Sequence, residues 1–159
     1  FQANGALWER WLERVAELAG SGALAVELYA GVGFYTAVIE RAFARVIAVE
    51  RSHAARDLAR NTHAEVVEAP AEDWAKTTLA SLDADLVLMN PPRAGCDAAV
   101  IEAIRHSRTR RVVYVSCDPA TLARDLARLG DTYRLTRLVL LDALPQTHHV
   151  ESIALLLRD

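Results

Sequence analysis

The stretch VVYVSCDPATLARD, residues 112–125, joins a strand pattern directly to a helix pattern. Its first four residues suit a buried strand, and apolar residues recur at helical spacing after Pro119. We predict that Asp118 caps the helix and that Pro119 fills its first position, because both residue types favour those places. Cys117 is therefore expected at the carboxyl end of a strand and beside a helix N-terminus.

The position of Cys117 has two opposing electrostatic consequences. The positive end of the helix dipole favours a thiolate over a thiol. The carboxylate of Asp118 acts in the opposite direction, because a neighbouring negative charge raises the pKa of a thiol. The local pattern leaves two interpretations open: a reactive thiol, or a small buried hydrophobe, which is what most free cysteines are.

The rest of the chain repeats this alternation of strand and helix. Strands are predicted at residues 23–29, 45–49, 64–68, 85–89, 111–115, 133–141 and 150–157. Helices are predicted at residues 6–18, 34–43, 52–61, 72–79, 97–106 and 119–129. Because too little chain for a crossover helix separates the last two strands, we expect them to be antiparallel neighbours. The pattern predicts an α/β fold with a doubly wound, seven-stranded, mostly parallel sheet and an antiparallel last strand, the class I methyltransferase variant of Rossmann-like folds.

Composition limits the classes of protein to consider. The 159 residues are 52% apolar and 25% charged, which is typical of one globular domain spanning residues 1–159. No apolar run is long enough to span a membrane, and two cysteines are too few for a structural zinc site or a disulfide framework. We expect a monomer of the cytoplasm that binds no metal. Because the first residue is phenylalanine, we also expect the chain to be a piece of a longer protein.

The net charge of −3 argues against a protein whose only role is to bind nucleic acid. One local exception is the stretch at residues 105–111, RHSRTRR, which contains four arginines. It has two interpretations: a solvated helix end and turn, or a patch that contacts phosphate groups.

A glycine loop follows the first predicted strand, in the sequence ELYAGVGF at residues 27–34. Gly31 and Gly33 allow backbone amides to approach a ligand closely, although a plain strand-to-helix turn has the same pattern. A dinucleotide fingerprint would require glycine or alanine where Thr36 stands. Glu50 ends the second strand, where a carboxylate can accept both ribose hydroxyls. Together these residues favour S-adenosylmethionine over nicotinamide cofactors.

Two more loops follow or precede strands at the same predicted edge of the sheet. Asn90, in the loop MNPPRAG at residues 89–95, offers both an acceptor and a donor to a planar polar substrate, or simply forms an Asn-Pro turn. Glu151 ends the stretch LPQTHHVE at residues 144–151 and is either a general base or an exposed glutamate on an edge strand. The two adjacent histidines of that stretch are not expected to bind metal, because neighbouring side chains on an extended chain point to opposite faces.

Three segments together resemble one family, the S-adenosylmethionine-dependent RNA 5-methyluridine (uracil-C5) methyltransferases, which modify a uridine in tRNA or rRNA. They are FQAN at residues 1–4, SCDPATLARD at residues 116–125 and PQTHHVE at residues 145–151. The resemblance covers essentially the whole chain as the family's catalytic domain. The small N-terminal RNA-binding barrel and the additional central region that the family usually carries are absent from this sequence.

The resemblance implies a role for each of several residues. Cys117 is implied as the nucleophile and Glu151 as the general base. We also expect Asn90 and Arg93 to bind the substrate, and Asn90 stands where the family commonly has aspartate. The implied cofactor site consists of Gln2, Tyr29, Gly31, Gly33, Phe34, Glu50 and Asn90, with Phe34 acting through its backbone.

The implied chemistry explains why these residue types are needed. Uracil C5 is a poor nucleophile, and addition of the Cys117 thiolate to C6 makes C5 enolate-like, so that it can attack the sulfonium methyl group. A partly desolvated carboxylate with a near-neutral pKa, at Glu151, would then remove the C5 proton.

Two alternatives remain open on the sequence. An amino-group methyltransferase would use the Asn-Pro-Pro loop, but that class normally has an aromatic residue where Arg93 stands and has no use for Cys117. The other alternative is a non-catalytic module that binds the cofactor or RNA. The presence of Asn90 in place of the family's aspartate would be consistent with such a loss of activity.

Overall fold

The computed structural model describes residues 5–141 and 150–159, with side chains from residue 7 onward. The helices are α1 (Gly5–Ala19), α2 (Thr36–Ile39), α3 (Ala54–Asn61), α4 (Ala71–Thr78, followed by a 3₁₀ turn at Leu79–Ser81), α5 (Ala98–His106) and α6 (Pro119–Leu129). The strands are β1 (Gly22–Leu28), β2 (Phe43–Glu50), β3 (Glu65–Glu68), β4 (Leu86–Met89), β5 (Arg111–Ser116), β6 (Tyr133–Leu141) and β7 (Glu151–Arg158).

The seven strands form one sheet in the order β3-β2-β1-β4-β5-β7-β6. Strand β7 runs antiparallel to both of its neighbours, and the remaining pairs are parallel. The predicted α/β fold, the seven strands and the antiparallel final pair are therefore confirmed.

Helices cover both faces of the sheet, which is why its central strands are continuous apolar runs. All four residues of β4 are buried. On one face, α4, α5 and α6 pack against the strands through residues such as Leu79, Ile101 and Leu129. On the other face, α1 and α2 pack through residues such as Trp11 and Ile39.

The predicted helix over residues 34–43 was wrong in its extent. Only Thr36–Ile39 form an α-helix, and Phe43 is the first residue of β2. Phe43 is buried and pairs with Gly22 of β1, whose N–H donates to the carbonyl of Ala42. The helical spacing of apolar residues was misleading because the sheet, rather than the helix, buries the phenyl ring.

The antiparallel direction of β7 brings distant parts of the sequence to one place. The carboxyl ends of β1, β2, β4 and β5 lie at one side of the sheet, called here the carboxyl edge, and β7 begins there. Ser116 of β5 pairs with Ser152 of β7. One step beyond that pair, Cys117 comes opposite Glu151. The other side of the sheet is called the amino edge.

Candidate active site

The junction between β5 and α6 is built by hydrogen bonds of its own residues. The carboxylate of Asp118 accepts the N–H of Thr121 at 2.9 Å, and the Ser116 hydroxyl accepts the N–H of Asp118 at 3.1 Å. The bond from Thr121 is the main cause that lowers the pKa of Asp118, and the charge of Arg93 contributes. The predicted helix cap is confirmed, and it holds the half-buried Cys117 at the N-terminus of α6.

A cavity of about 480 Å³ opens at the carboxyl edge, a size typical of small-molecule sites. It brings together five of the residues singled out in the sequence: Cys117, Glu151, Asn90, Arg93 and Phe34. The rest of its lining consists of Trp8, Tyr35, Pro91 and Pro92.

Tyr35 forms a buried wall of this cavity near Glu151. Its hydroxyl accepts the indole N–H of Trp11 at 3.2 Å. Burial raises the pKa of Tyr35 to about 12, and the negative charge of the nearby Glu151 adds to the shift. The phenol of Tyr35 is therefore neutral at physiological pH. Glu151, which lies near it, is half-buried.

The glycine loop lies beside the cavity and is tied to the end of β2. Gly31 and Gly33 have φ angles of +58° and +92°, which favour glycine. The N–H of Gly31 and the N–H of Ser52 each donate to one carboxylate oxygen of Glu50 at 2.8 Å. Burial alone would raise the pKa of Glu50, but hydrogen bonds from Ser52, Gly31 and Arg51 lower it below its ordinary value. The Glu50 carboxylate is thus ionised.

Glu50 and the loop have the capacity to hold a ribose. An ionised carboxylate accepts hydrogen bonds, and the hydroxyls of a ribose donate them. A Cβ added at Gly31 would meet no atom within 4 Å, so the loop surface faces open space.

Of the described residues of the implied cofactor site, Phe34 and Asn90 line this cavity, whereas Tyr29, Gly31, Gly33 and Glu50 do not. Tyr29 is half-buried with a φ of +62°, and its hydroxyl lies 3.6 Å from the sulfur of Cys96. Gln2 lies outside the described residues, as do residues 145–149 of the stretch that precedes Glu151.

The two cysteines occupy different environments. Cys96 is 3% exposed, and burial raises its pKa to about 12, so it is a neutral thiol at physiological pH. Cys117 is half-buried and lines the cavity. Of the two, Cys117 is the thiol that a substrate can reach.

Sequence reasoning missed Asp125, which joins the two loops of the cavity. Its carboxylate is fully buried and accepts the N–H of Cys96 at 2.7 Å, the hydroxyl of Tyr114 at 2.8 Å and a guanidinium N–H of Arg124 at 2.9 Å. The same guanidinium donates to the carbonyl of Ala94 at 2.9 Å. Helix α6, which follows Cys117, is thereby fastened to the loop that follows Asn90.

A sequence signal for Asp125 does exist. It lies on the apolar stripe of α6 between Leu122 and Leu129, where a carboxylate is costly unless it has partners. Gly95 serves the same network: its φ is +82°, and a Cβ there would lie 2.3 Å from Arg124 and 2.7 Å from the Asp125 carboxylate.

Two features are absent from the described part of the chain. It contains no group of three or more histidine, cysteine, aspartate or glutamate residues that could hold a metal ion. None of its helices is long and apolar enough to cross a membrane.

The family model for tRNA (uracil-5-)-methyltransferases matches residues 70–159. That range is more than half of the chain and includes Asn90, Cys117 and Glu151. The chain belongs to this family. The resemblance seen in the sequence is thus confirmed at the level of family membership.

Relatives of the tRNA (uracil-5-)-methyltransferase family match most of the chain. An uncharacterized RNA methyltransferase of Thermosynechococcus vestitus is 45% identical over 82% of this chain and 31% of its own length. The tRNA/tmRNA (uracil-C(5))-methyltransferase of Ectopseudomonas mendocina is 36% identical over 99% of this chain and 49% of its own length. The chain thus spans about a third to a half of the length of these two relatives.

Solved structures agree with the fold. The tRNA (uracil-54, C5)-methyltransferase of Pyrococcus abyssi, in complex with S-adenosyl-L-homocysteine, is 30% identical and superimposes with a TM-score of 0.84 over 99% of this chain and 40% of that one. The N-methyltransferase NodS of Bradyrhizobium japonicum is 12% identical, with a TM-score of 0.75 over 99% of both chains. The second likeness shows the class I methyltransferase fold alone.

Proposed function

We propose that this chain is a catalytic domain that transfers a methyl group from S-adenosylmethionine to C5 of a uridine in RNA. The observation that carries the proposal is one cavity in which an accessible thiol, Cys117, comes opposite a carboxylate, Glu151, beside the glycine loop. The family and the relatives from E. mendocina and P. abyssi make tRNA the first substrate to test, with rRNA the second.

The residues present fit the cofactor. The ionised carboxylate of Glu50 would accept hydrogen bonds from the ribose hydroxyls, and the amides around Gly31 border open space beside it. The P. abyssi relative was crystallised with the demethylated form of the same cofactor. When bound, S-adenosylmethionine supplies an electrophilic methyl group.

Cys117 performs the first covalent step. Its thiolate forms a bond from Sγ to C6 of the uracil, and the electron pair of the C5–C6 double bond moves into an enolate over C5, C4 and O4. The cap that Asp118 forms on α6 fixes the backbone next to Cys117, whose side chain lines the cavity where the uracil would lie. C5 would then bond to the methyl group while the bond from that methyl group to the sulfonium sulfur breaks, which would leave S-adenosylhomocysteine.

Glu151 performs the proton transfer that completes the reaction. Its carboxylate accepts the proton of methylated C5, the freed electron pair re-forms the C5–C6 double bond, and the bond from C6 to sulfur breaks. Cys117 directly follows β5, Glu151 begins the antiparallel neighbour β7, and both line one cavity, so one base bound there would present C6 to the thiol and C5 to the carboxylate.

The other polar groups of the cavity suit binding of the base. Asn90 is exposed, and its amide offers an acceptor and a donor to the edge of uracil, which presents both. Cys117 in the cavity favours methylation of carbon over methylation of an amino group, which has no use for a thiol.

The test is transfer of a tritiated methyl group from S-adenosylmethionine to an unmodified tRNA transcript, with an rRNA transcript in parallel. Cys117→Ala should reduce transfer by at least about 10⁴-fold, because loss of a nucleophile removes the whole pathway. The matched control is Cys96→Ala, since Cys96 is buried and reaches no substrate; it should stay within about tenfold of wild type when compared per folded molecule. Wild-type transfer in Cys117→Ala, or no transfer by the wild-type chain to either RNA, would contradict the proposal.

A further inference from the structure

The ring of Phe34 is exposed where apolar side chains are normally buried. Phe34 follows the glycine loop and is 46% exposed, whereas the next residue, Tyr35, is 6% exposed. The Phe34 ring nevertheless lines the same cavity as Cys117 and Glu151. An exposed aromatic ring at the mouth of a polar cavity is a feature of ligand sites.

The Phe34 ring is held in a fixed orientation. Its centroid lies 5.5 Å from that of Trp8 at an interplanar angle of 88°, and 5.3 Å from that of Tyr35 at an angle of 76°. Both contacts are T-shaped, a favoured geometry for aromatic pairs. Because neither of these rings is parallel to the Phe34 ring, neither is stacked on its face.

The cavity next to this ring points to a nucleobase as the partner. For Cys117 to reach C6, a uridine must leave the base stack of its RNA, and the neighbouring base then loses a stacking partner. Unstacked RNA bases are commonly received by aromatic side chains. Arg93 is exposed and lines the same cavity, so its guanidinium lies where a phosphate of the same strand could pair with it.

We propose that the Phe34 side chain stacks on the unpaired nucleobase adjacent to the target uridine. This inference rests on the proposed function and adds a second base to the substrate that the cavity recognises. The inference gives the side chain of Phe34 a role in binding RNA. The resemblance to the family implies a role for the backbone of Phe34 alone, at the cofactor. The stacked base holds the RNA strand at the rim while the target uracil occupies the space between Cys117 and Glu151.

The test compares Phe34→Leu and Phe34→Trp in the methyl-transfer assay. Phe34→Leu should raise the KM for RNA at least about fivefold, which corresponds to the lower end, about 1 kcal/mol, of the stacking free energy of a base on an aromatic ring. Phe34→Trp should retain the wild-type KM. The kcat and the affinity for S-adenosylhomocysteine should be unchanged in both variants.

A matched control comes from the same loop. Val32 is 55% exposed but does not line this cavity. Val32→Ala should therefore leave the KM for RNA unchanged. A second test uses RNA that lacks the base on the 5′ or the 3′ side of the target uridine. The wild-type protein should bind this RNA as weakly as Phe34→Leu binds intact RNA. Phe34→Leu should bind it no more weakly than it binds intact RNA.

The outcomes distinguish the two proposals. If the wild-type chain methylates RNA and Phe34→Leu has the same KM, the stacking inference fails and the proposed function stands. If Phe34→Leu weakens S-adenosylhomocysteine instead, the ring belongs to the cofactor site and the inference is again overturned. If the wild-type chain methylates no RNA, the proposed function itself has failed.

Discussion

The amino and carboxyl edges of the sheet both carry clusters of polar residues, but the partners of their side chains differ. At the amino edge, Arg158 donates to the carbonyls of Ser107 and Thr109 at 2.7 and 2.9 Å, and Arg111 donates to the carbonyl of Ala19, the last residue of α1, at 2.7 Å. These guanidinium groups satisfy backbone acceptors at the ends of helices and strands.

At the carboxyl edge, the side chains of Cys117, Glu151 and Asn90 line a cavity instead. The groups that fasten this edge, Asp118 and Asp125, are different residues from those that face the cavity. The comparison teaches that a dense run of charges in a sequence is a poor guide to a site. The deciding question is whether backbone carbonyls and neighbouring side chains of the folded protein already pair with those charged groups.

The arginine-rich stretch at residues 105–111 illustrates this lesson. Arg105 pairs with Glu102 at 2.9 Å and with Asp131 at 3.4 Å, and Arg111 caps α1 as described. The stretch lies at the amino edge, at the opposite end of β5 from Cys117. Of the two interpretations left open by the sequence, the structure favours the solvated helix end and turn.

The largest effect should come from breaking the fastening of the carboxyl edge. Asp125→Ala leaves a buried N–H, a buried hydroxyl and a guanidinium without their acceptor, so the free energy of unfolding should fall by about 3–5 kcal/mol, measured with urea. The folded fraction should also lose methyl-transfer activity, because both loops of the cavity lose their connection.

Asp131→Ala is the matched control for that variant, since Asp131 is an exposed carboxylate that pairs with an arginine at the amino edge. Its effect on stability should stay within about 0.5 kcal/mol. Equal stabilities of the two variants would show that the Asp125 network does not hold the carboxyl edge together.

A smaller effect is expected at the amino edge. Arg158→Ala removes charge-assisted hydrogen bonds to several carbonyls and a cation–π contact 4.7 Å from the centre of the Tyr133 ring. The free energy of unfolding should fall by about 2–3 kcal/mol. The methyl-transfer rate per folded molecule should be unchanged, because the residue lies at the edge opposite the cavity.

The exposed Arg134 on β6 provides the comparison for Arg158. Arg134→Ala should change stability by less than about 0.5 kcal/mol. A fully folded Arg158→Ala protein with impaired methyl transfer would break the distinction drawn here between the two edges.

The sequence was sufficient to predict the seven strands, the mostly parallel sheet and the antiparallel final pair, because apolar runs and loop lengths are local signals. It was also sufficient to place Cys117, through the capping signature of Asp118 and Pro119. The network around Asp125 could not be predicted in the same way, because its partner Cys96 is 29 residues away in the chain. The contact of Arg158 with Ser107 spans 51 residues.

The last of these effects concerns the pH dependence of stability, which is set in the interior between the two edges. Glu27 of β1 is fully buried, and burial raises its pKa from an ordinary 4.5 to about 8, although Thr36 donates a hydrogen bond to it. The folded protein therefore keeps a proton that the unfolded chain loses, and stability should fall as pH rises from about 4.5 to about 8. Glu27→Gln should remove most of this decline, measured by thermal unfolding at several pH values.

The exposed Glu17 serves as the control for this pH dependence. Glu17→Gln should leave the decline in stability with pH as it is in the wild type. A Glu27→Gln protein whose stability declines with pH as steeply as that of the wild type would show that Glu27 is not the titrating group.

The most direct test of the account is whether Cys117 and Glu151 act in sequence on one uridine. Glu151→Gln keeps the shape of the side chain but cannot accept the C5 proton, so product release should slow by about 10²–10⁴-fold. With S-adenosylmethionine and labelled RNA, this variant should accumulate a covalent protein–RNA band on a denaturing gel. The band should require the cofactor and be absent when Cys117→Ala is added. Release of 5-methyluridine RNA by Glu151→Gln at the wild-type rate, or a band that persists without Cys117, would contradict the account.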